Sequence, residues 1–304
     1  MQLFLQSAYL SSALSLIYIA VLYRSHPFRR LPLVSVSSTF IVGMLAVVPV
    51  ILVYRLIPGL RLGGLWSALL VAPLIEESVK LLLFAWTARR LGYPSLIEPL
   101  DYAIYFGILG VGFAIYEDFW YIFGNTYSSW VAGDYSHFIE VFRWMAYARS
   151  FPGHVLFNAI AGFLIGWGAC QVKGRARWHW YASAFLVAAG THSLFNLVAS
   201  QSGTLLLWSL TVAYVGVFFV LRRRVLEVSP FAALSAFMEG RNATWEYAIT
   251  PVETLFAEGF AWPGKARPSY LSFYPVTLSL VVLFPVFVIC VYFMHRLLSM
   301  GTGP

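Results

Sequence analysis

Two carboxylates and one ammonium group interrupt an apolar run at Pro73-Leu74-Ile75-Glu76-Glu77-Ser78-Val79-Lys80. The run extends from Gly64 to Ala88, which is long enough to cross a bilayer. Because Lys80 lies four residues after Glu76 and three after Glu77, all three side chains can project from one side of a helix. Ionised groups at this depth are expected to face a protein interior or a wet cavity. The stretch therefore predicts either a functional site or a buried ion pair that fixes helix packing.

The composition of the chain is that of a multi-span membrane protein. Of its 304 residues, 60% are hydrophobic, 18% are aromatic and 11% are charged, whereas soluble domains average about 25% charged residues. The net charge of +7 is explained by basic loops that set membrane orientation, so no nucleic-acid partner is expected. The two cysteines, Cys170 and Cys290, are far apart and indicate neither a disulfide framework nor a metal motif.

Eight apolar runs predict an all-α fold, a polytopic membrane helix bundle with a buried polar cavity. We expect a single integral membrane domain over 1–304. The eight predicted spans lie near Leu3–Tyr23, Val34–Leu56, Gly64–Ala88, Asp101–Phe123, Pro152–Cys170, Trp180–Ala199, Thr204–Leu221 and Phe273–Leu298. In the fifth span, Gly162-xxx-Gly166 predicts a close helix contact.

Two connections between spans are long. Residues 225–272 are less hydrophobic and contain several prolines, which predicts an irregular cytoplasmic connection. Asn125–Phe151 mixes aromatic, aliphatic and charged residues, a composition typical of a helix that lies in the outer membrane interface. Such a helix can cover or gate a site on that face, or it can simply pack on the rim of the bundle.

Basic residues are concentrated in alternate connections. The first, third, fifth and seventh connections carry Arg24, Arg29, Arg30, Arg89, Arg90, Lys173, Arg175, Arg177, Arg222, Arg223 and Arg224. The positive-inside rule then places these connections in the cytoplasm and both chain termini outside. Four arginines fall on the outer side and count against this orientation: Arg55, Arg61, Arg143 and Arg149.

Polar side chains on three further spans accompany the Glu76 stretch. They are Glu117 in the fourth span, His154 and Asn158 in the fifth, and His192 and Asn196 in the sixth. Each histidine shares a helical face with the asparagine four residues later. A lone histidine in a membrane helix usually serves packing, but here polar groups recur on four successive spans, and each needs a partner away from lipid. In the predicted orientation all of them fall in the outer half of the bilayer, so a shared site is expected.

The motif order resembles that of the PrsW family of intramembrane proteases, relatives of the CAAX-processing proteases and of the gamma-secretase subunit APH-1. The motifs are Glu76-Glu77-xx-Lys80, Phe113-xxx-Glu117, His154 and His192-xxx-Asn196, within a catalytic core over 64–199. The resemblance implies hydrolysis of a peptide bond in a membrane protein, such as the first cut in a single-span anti-sigma factor. It also implies a bacterial plasma membrane and a site that opens to the extracytoplasmic side.

The expected chemistry is amide hydrolysis by a glutamate-activated water. Glu76 is the expected base, with Glu77 and Lys80 orienting it, although the two glutamates can exchange roles. Glu117 and His154 would position the water or shuttle its proton. The CAAX branch departs from this pattern, because its basic residue stands one position after Lys80 and a histidine replaces Glu117. His154 is therefore the expected partner in this chain.

The oxyanion site and the cofactor follow from the same residues. By resemblance to the CAAX proteases, His192 and Asn196 line the oxyanion site. Asn158, like Lys80, is expected to be a supporting residue of the site. A zinc protease is the alternative mechanism, with three ligands: His154, His192 and Glu117. Lys80 beside the carboxylates disfavours a divalent cation and no HExxH motif occurs, so the metal-free form is preferred and no cofactor is expected.

Two functions without proteolysis stay open. One is a non-catalytic membrane scaffold of the APH-1 type, and the other is an ion- or proton-coupled transporter. A transporter is expected to show paired repeats with broken helices at matching positions. Pro73 can break the third span, but the other half of the chain has no counterpart. The expected partners of a protease are a membrane-protein or peptide substrate and the lipid bilayer.

Overall fold

The computed structural model of the chain consists of helices. It describes the ranges 2–28, 30–57, 65–90, 96–171, 177–200 and 204–227, and the isolated positions 60, 229, 231, 237 and 238. No strand occurs in these ranges, which confirms the predicted all-α class. The predicted eighth span near Phe273–Leu298, Cys290 and most of the predicted connection over 225–272 lie outside the described residues.

Nine α-helices follow one another in the described part of the chain. They are α1 (Gln2–Arg24), α2 (Leu33–Leu45), α3 (Val47–Leu56), α4 (Ala72–Arg90), α5 (Pro99–Val131), α6 (Tyr135–Arg149), α7 (Gly153–Gln171), α8 (Arg177–Ser200) and α9 (Thr204–Glu227). Six stretches among them are long and apolar enough to span a membrane. These six include every predicted span except the third and the eighth, so the predicted count of eight is approximate.

The third predicted span begins with a π-helical turn, Ser67–Val71, and continues as α4. The backbone amide of Ala72 donates to the carbonyl of Ser67, five residues back, and Pro73 has no amide hydrogen to donate. α4 falls outside the six apolar stretches because ionisable side chains interrupt its sequence. π-helical turns occur frequently at functional sites, and this one directly precedes the Glu76 stretch.

The second predicted span consists of two helices, α2 and α3. They are separated at Ala46, whose amide donates to the carbonyls of Val42 and Gly43 at 2.9 and 3.2 Å. Pro49 explains the interruption, because it offers no amide hydrogen to the carbonyl of Leu45 four residues earlier. The two helices still form one apolar stretch that is long enough to cross a bilayer.

α5 is the centre of the bundle and packs against α1, α2, α6 and α7. It contains 33 residues, which corresponds to about 50 Å of helix. The sequence predicts an end near Phe123, but α5 continues to Val131. Asn125 and Thr126 donate side-chain hydrogen bonds to carbonyls of the preceding turn, so the helix passes through these polar positions. It ends before Gly133, whose φ of 71° is a left-handed conformation suited to glycine.

α7 packs closely on α5 through two glycines. A Cβ at Gly162 would lie 2.6 Å from the Cα of Ala103, and a Cβ at Gly166 would lie 2.5 Å from the Cα of Pro99. No side chain larger than hydrogen fits these positions without moving a helix. The close contact predicted from the Gly162-xxx-Gly166 pattern is therefore confirmed.

α6 runs antiparallel to the last part of α5. Trp130 contacts Phe138 near one end of the pair, and Asp118 contacts Arg149 near the other. A helix is present within Asn125–Phe151, as predicted, and it lies along α5; its position in the outer membrane interface stays a prediction. α6 and α7 together form one apolar stretch that is interrupted between Arg149 and Gly153. The interruption brings Arg149 to the level of polar residues in the middle of α5.

Asp134 fixes the start of α6. Its Oδ1 accepts the backbone amide of His137 at 3.1 Å and the hydroxyl of Ser136 at 2.8 Å. These donors, led by the His137 amide, hold the pKa of the exposed Asp134 carboxyl below its usual value. The cap thereby sets the register of a 15-residue helix that ends at Arg149.

Candidate active site

Glu77 is the hub of a buried polar cluster. Its Oε1 accepts from Nζ of Lys80 at 2.6 Å and lies 2.9 Å from Nδ1 of His192. Its Oε2 accepts from Nδ2 of Asn158 at 2.9 Å. Both carboxylate oxygens therefore hold side chains, which come from α4, α7 and α8. The Nδ1 of His192 must donate in this contact, which leaves the Nε2 lone pair of His192 free.

Lys80 sets the orientation of His154. Its ammonium group is fully buried and lies 4.5 Å from the centre of the Phe113 ring. Besides Glu77, Nζ contacts Nδ1 of His154 at 2.9 Å. Because lysine only donates, Nδ1 of His154 accepts and the hydrogen of a neutral ring is on Nε2. That Nε2 lies 2.8 Å from Oε2 of Glu117, to which it donates.

Glu76 differs from its neighbour Glu77. Its side chain is also buried, but its Oε2 forms no hydrogen bond within the described residues. The nearest ionisable contact of this oxygen is Nε2 of His154, at 4.0 Å. A buried carboxylate oxygen without a partner is costly, and such groups are retained where a reaction or a ligand uses them.

Gly110 allows α7 to approach α5 closely enough for these contacts. A Cβ at Gly110 would lie 2.5 Å from the carbonyl oxygen of His154 and 2.6 Å from Oδ1 of Asn158. The missing side chain thus determines the distance between the two helices at the height of the polar cluster.

Glu117 and Asp118 share a cation that the sequence prediction missed. Arg149 donates from Nε to Oδ1 of Asp118 at 2.7 Å and from Nη2 to Oε2 of Glu117 at 3.2 Å. Its guanidinium group also lies 4.6 Å from the centre of the Tyr121 ring. The sequence assigned Arg149 to an outer loop, and the only signal for this pairing was an acidic Glu117-Asp118 pair without a basic partner in its own span.

Asn196 lies apart from the hydrogen bonds around Glu77. Its Nδ2 donates to the carbonyl oxygen of Ala68, in the π-helical turn, at 2.8 Å. Asn196 nevertheless lines the same cavity as Glu76 and His192. One of its two amide hydrogens remains for other acceptors, because a side-chain amide carries two.

A cavity of about 420 Å³ joins these groups. Its polar wall comes from Glu76, Glu117, Asp118, Arg149, His154, His192 and Asn196. Its apolar wall is mostly small side chains, among them Ala68 and Ala72 near the π-helical turn, Ala114 of α5 and Ala199 of α8. The volume lies within the range of ligand sites, about 300–1,000 Å³. A shallower groove on the surface of α6 contains none of the predicted site residues.

Three of these side chains fit a zinc ion. Glu76, His154 and His192 each offer one ligand atom, and the three atoms lie within 4.8 Å of one another. The contact from His192 to Glu77 is the carboxylate support that zinc-bound histidines commonly have. The sequence predicted Glu117 as the carboxylate ligand, whereas the structure groups Glu76 with the two imidazoles. Lys80 is paired with Glu77 and donates to Nδ1 of His154, so zinc could bind at Nε2 only after the hydrogen that this nitrogen donates to Glu117 has left.

A second buried group joins α1 to the start of α5. His26 Nε2 lies 2.5 Å from Oε1 of Glu98 and 3.5 Å from Oδ1 of Asp101. The other oxygen of Asp101 accepts the backbone amides of Ile97 and Glu98. This group fixes the turn that leads into α5 and is separate from the cavity.

The family model described as PrsW family intramembrane metalloprotease matches residues 31–222. This range is more than half of the chain and contains every predicted site residue. The chain belongs to the PrsW family. A curated relative, Protease PrsW of Geobacillus kaustophilus (strain HTA426), is 26% identical over 176 residues, which cover 57% of this chain and 71% of the relative. No solved structure matches.

PrsW family membership gives the class of reaction. Together with the membrane-spanning helices, it identifies an integral membrane protein that is an intramembrane protease. The resemblance inferred from the motif order is thereby confirmed for the family, which supports a protease.

Proposed function

We propose that this protein hydrolyses a peptide bond of a membrane-protein substrate in the cavity, with Glu76 as the carboxylate at the reacting water. The observation that carries the proposal is the contrast between the two adjacent glutamates. Glu77 has both oxygens occupied, whereas Glu76 has a buried oxygen with no hydrogen-bond partner in the described residues. A carboxylate that reacts must be free to accept a proton or hold a ligand.

Glu77, Lys80 and Asn158 have positioning roles in this proposal. Lys80 holds the His154 ring and Glu77 holds the His192 ring, each through the Nδ1 atom. The Nε2 atom of His154 is therefore available to Glu117, and that of His192 to the cavity. Asn158 holds the second oxygen of Glu77. The substrate would therefore contact side chains that cannot easily rotate, which is the condition for efficient catalysis.

The proton of the attacking water must reach the departing amine. In the metal-free form, Glu117 and His154 form the relay for this transfer, because Oε2 of Glu117 and Nε2 of His154 are 2.8 Å apart at the cavity wall. Asn196 supports the oxyanion with its second amide hydrogen. His192 is better suited to accept than to donate, because its Nδ1 hydrogen is committed to Glu77.

The same residues admit two forms of this mechanism. In the metal-free form, which the sequence predicts, Glu76 is the general base. In the zinc form, Glu76, His154 and His192 would hold the ion, Nε2 of His154 would no longer carry the hydrogen that it donates to Glu117, and Glu117 would accept the proton of the water. A bound zinc would acidify its water and polarise the scissile carbonyl. The family description as a metalloprotease and the close ligand group support the second form.

The decisive experiment measures cleavage of single-span test substrates by the purified full chain in detergent. The panel includes single-span anti-sigma factors, because the family resemblance suggests such a substrate. We expect Glu76→Gln and His192→Ala to lower kcat by about 100- to 10,000-fold. Glu77→Gln should also lower Tm, because it removes a charge that Lys80 requires. Activity that a strong chelator abolishes and zinc restores would establish the zinc form, and chelator-resistant activity the metal-free form.

Cleavage that persists unchanged in folded Glu76→Gln and His192→Ala would refute the site. A chain that folds, cuts no substrate in the panel and still supports its cellular phenotype as Glu76→Gln would instead have a scaffold function. Arg143→Gln is the matched control, because Arg143 is an exposed residue of α6 outside the cavity.

We further propose that the cavity opens on the extracytoplasmic side. Arg222 donates from Nε to the carbonyl of Ser25 at 2.6 Å, and His26 contacts Glu98. These contacts join the first, third and seventh connections, which are all expected in the cytoplasm. Arg149, which counted against this orientation, is paired with two carboxylates of α5 and is not a free loop charge.

Orientation can be tested by cysteine labelling in a chain without Cys170 and Cys290. Ser136→Cys near the start of α6 and Arg223→Cys near the end of α9 introduce thiols at exposed positions. A membrane-impermeant maleimide applied to intact cells should label Ser136→Cys and should reach Arg223→Cys only after permeabilisation. The reverse pattern would overturn the proposed orientation.

A further inference from the structure

Arg149 is the last residue of α6 and lies beside the proposed proton relay. Its side chain is 21% exposed, and its two hydrogen bonds reach Oδ1 of Asp118 and Oε2 of Glu117. The same Oε2 lies 2.8 Å from Nε2 of His154. One carboxylate oxygen is therefore held between a guanidinium group and an imidazole ring.

The guanidinium group is itself fixed in place. Asp118, with a nearly buried side chain, accepts from Nε at 2.7 Å, and Cζ of Arg149 lies over the Tyr121 ring, 4.6 Å from its centre. The next residue, Ser150, accepts a hydrogen bond at its carbonyl from the Tyr18 hydroxyl. α1 and α5 thus hold the α6–α7 junction from two sides, and Arg149 has little freedom to follow a moving carboxylate.

Glu117 has no comparable support without Arg149. Its side chain is 20% exposed, and the contacts of its carboxylate in the described residues come from Arg149 and His154 alone. An ionised carboxylate held by one imidazole can rotate and turn its oxygen away from Nε2. A second donor on the same oxygen restricts that rotation, and the planar fork of arginine can bind Glu117 and Asp118 together.

We propose that Arg149 is a positioning residue that holds the Glu117 carboxylate against Nε2 of His154, so that the end of α6 sets the geometry of proton transfer. The kinetic consequence rests on the proposed function in its metal-free form. The competing explanation is purely structural, in which Arg149 ties the α6–α7 junction to α5 through Asp118 and its contact with Glu117 is incidental.

The kinetic experiment compares Arg149→Gln, Arg149→Lys and the control Arg143→Gln on the single-span substrate that the wild-type chain cleaves. Positioning predicts that Arg149→Gln lowers kcat by about 10- to 100-fold with KM within about twofold. Arg149→Lys should recover part of kcat, because a lysine keeps the charge but lacks the fork. Arg143→Gln should behave as wild type.

Two double variants separate positioning from the structural explanation. In a Glu117→Gln background, Arg149→Gln should change kcat no further, because both changes disrupt the same step. In an Asp118→Asn background, Arg149→Gln should still lower kcat, because the contact with Glu117 remains to be lost. The structural explanation predicts the opposite for the second pair, with no further effect once Asp118 is neutralised.

A measurement without substrate keeps this test independent of proteolysis. The ring-nitrogen NMR signals of His154 can be assigned in a chain labelled with 15N-histidine by comparison with His154→Asn, because the sequence contains 6 histidines. Arg149→Gln should shift the Nε2 signal of His154 and leave that of His192 in place. Unchanged His154 signals, or a kcat equal to that of Arg143→Gln, would overturn the proposal even if the protease assay succeeds.

Discussion

Replacing Gly110 by alanine is expected to disable the site at a moderate cost in stability. The new Cβ would meet the carbonyl oxygen of His154 at 2.5 Å and Oδ1 of Asn158 at 2.6 Å, whereas ordinary contacts begin at 3.4 Å. The helix α7 must therefore move away from α5 by roughly 1 Å, because backbone atoms cannot rotate aside. Overpacking of this kind costs about 1–3 kcal/mol. A displacement of about 1 Å in reacting groups can lower the rate about 100-fold.

The assay for Gly110→Ala combines thermal unfolding in detergent with the cleavage assay. Two other glycines supply controls. At Gly43, on α2, a Cβ would lie 2.1 Å from the carbonyl oxygen of Leu109, so Gly43→Ala should lower Tm without a specific loss in kcat. At Gly190, no atom lies within 4 Å of an added Cβ, so Gly190→Ala should retain both Tm and activity. Wild-type Tm and kcat in Gly110→Ala would refute the proposed spacing of α5 and α7.

Two further predictions concern the buried cation and the close helix contact. Lys80→Met leaves Glu77 without its cation and should destabilise the chain by about 3–5 kcal/mol. In thermal unfolding, the double variant with Glu77→Gln should recover much of this lost stability, but it should remain inactive. A wild-type Tm in Lys80→Met alone would contradict the buried ion pair. Gly162→Leu should prevent folding or lower Tm strongly, since even a Cβ would lie 2.6 Å from the backbone of Ala103, whereas Gly124→Leu, at a position with no atom within 4 Å, should fold normally.

Local spacing was sufficient to predict the centre of the site. Lys80 pairs with Glu77 three residues earlier, as helical geometry allows. Asn158 and His154 share a face of α7 and both reach the cluster around Glu77. These contacts could be predicted because each depends on residues within one turn of a helix, together with the requirement that buried polar groups find partners.

Contacts that depend on breaks in the helices could not be predicted in the same way. Arg149 reaches Asp118 only because α6 turns back along α5 and ends beside it, and the sequence pattern of an amphipathic helix does not specify that path. Asn196 donates to the carbonyl of Ala68, which belongs to a π-helical turn. This turn changes the register of the backbone hydrogen bonds before α4. The zinc set with Glu117 stays a prediction; the structure adds that Arg149 donates to the Glu117 carboxylate and that Glu76 is the carboxylate grouped with the two imidazoles.

The net charge around the cavity bears on both metal binding and the protonation of the site. Within the described residues, four carboxylates and two cations lie around the cavity: Glu76, Glu77, Glu117, Asp118, Lys80 and Arg149. Their formal charges sum to −2 when both imidazoles are neutral. Uncompensated charge in a buried site is expensive. Two bound protons or one divalent cation would each neutralise it.

Because zinc and protons would neutralise the same charge, zinc binding can be used to measure how many protons the site carries. If the apo site carries protons on its carboxylates or imidazoles, zinc must displace them, and calorimetry in buffers of different ionisation enthalpy will detect their release. Glu76→Gln removes one charge and one ligand together, so it should weaken binding and reduce the protons released. Glu117→Gln removes the same charge without removing a member of the ligand group, and should therefore retain more of the affinity. Equal losses in the two variants would show that charge alone, and not coordination by Glu76, governs the ion.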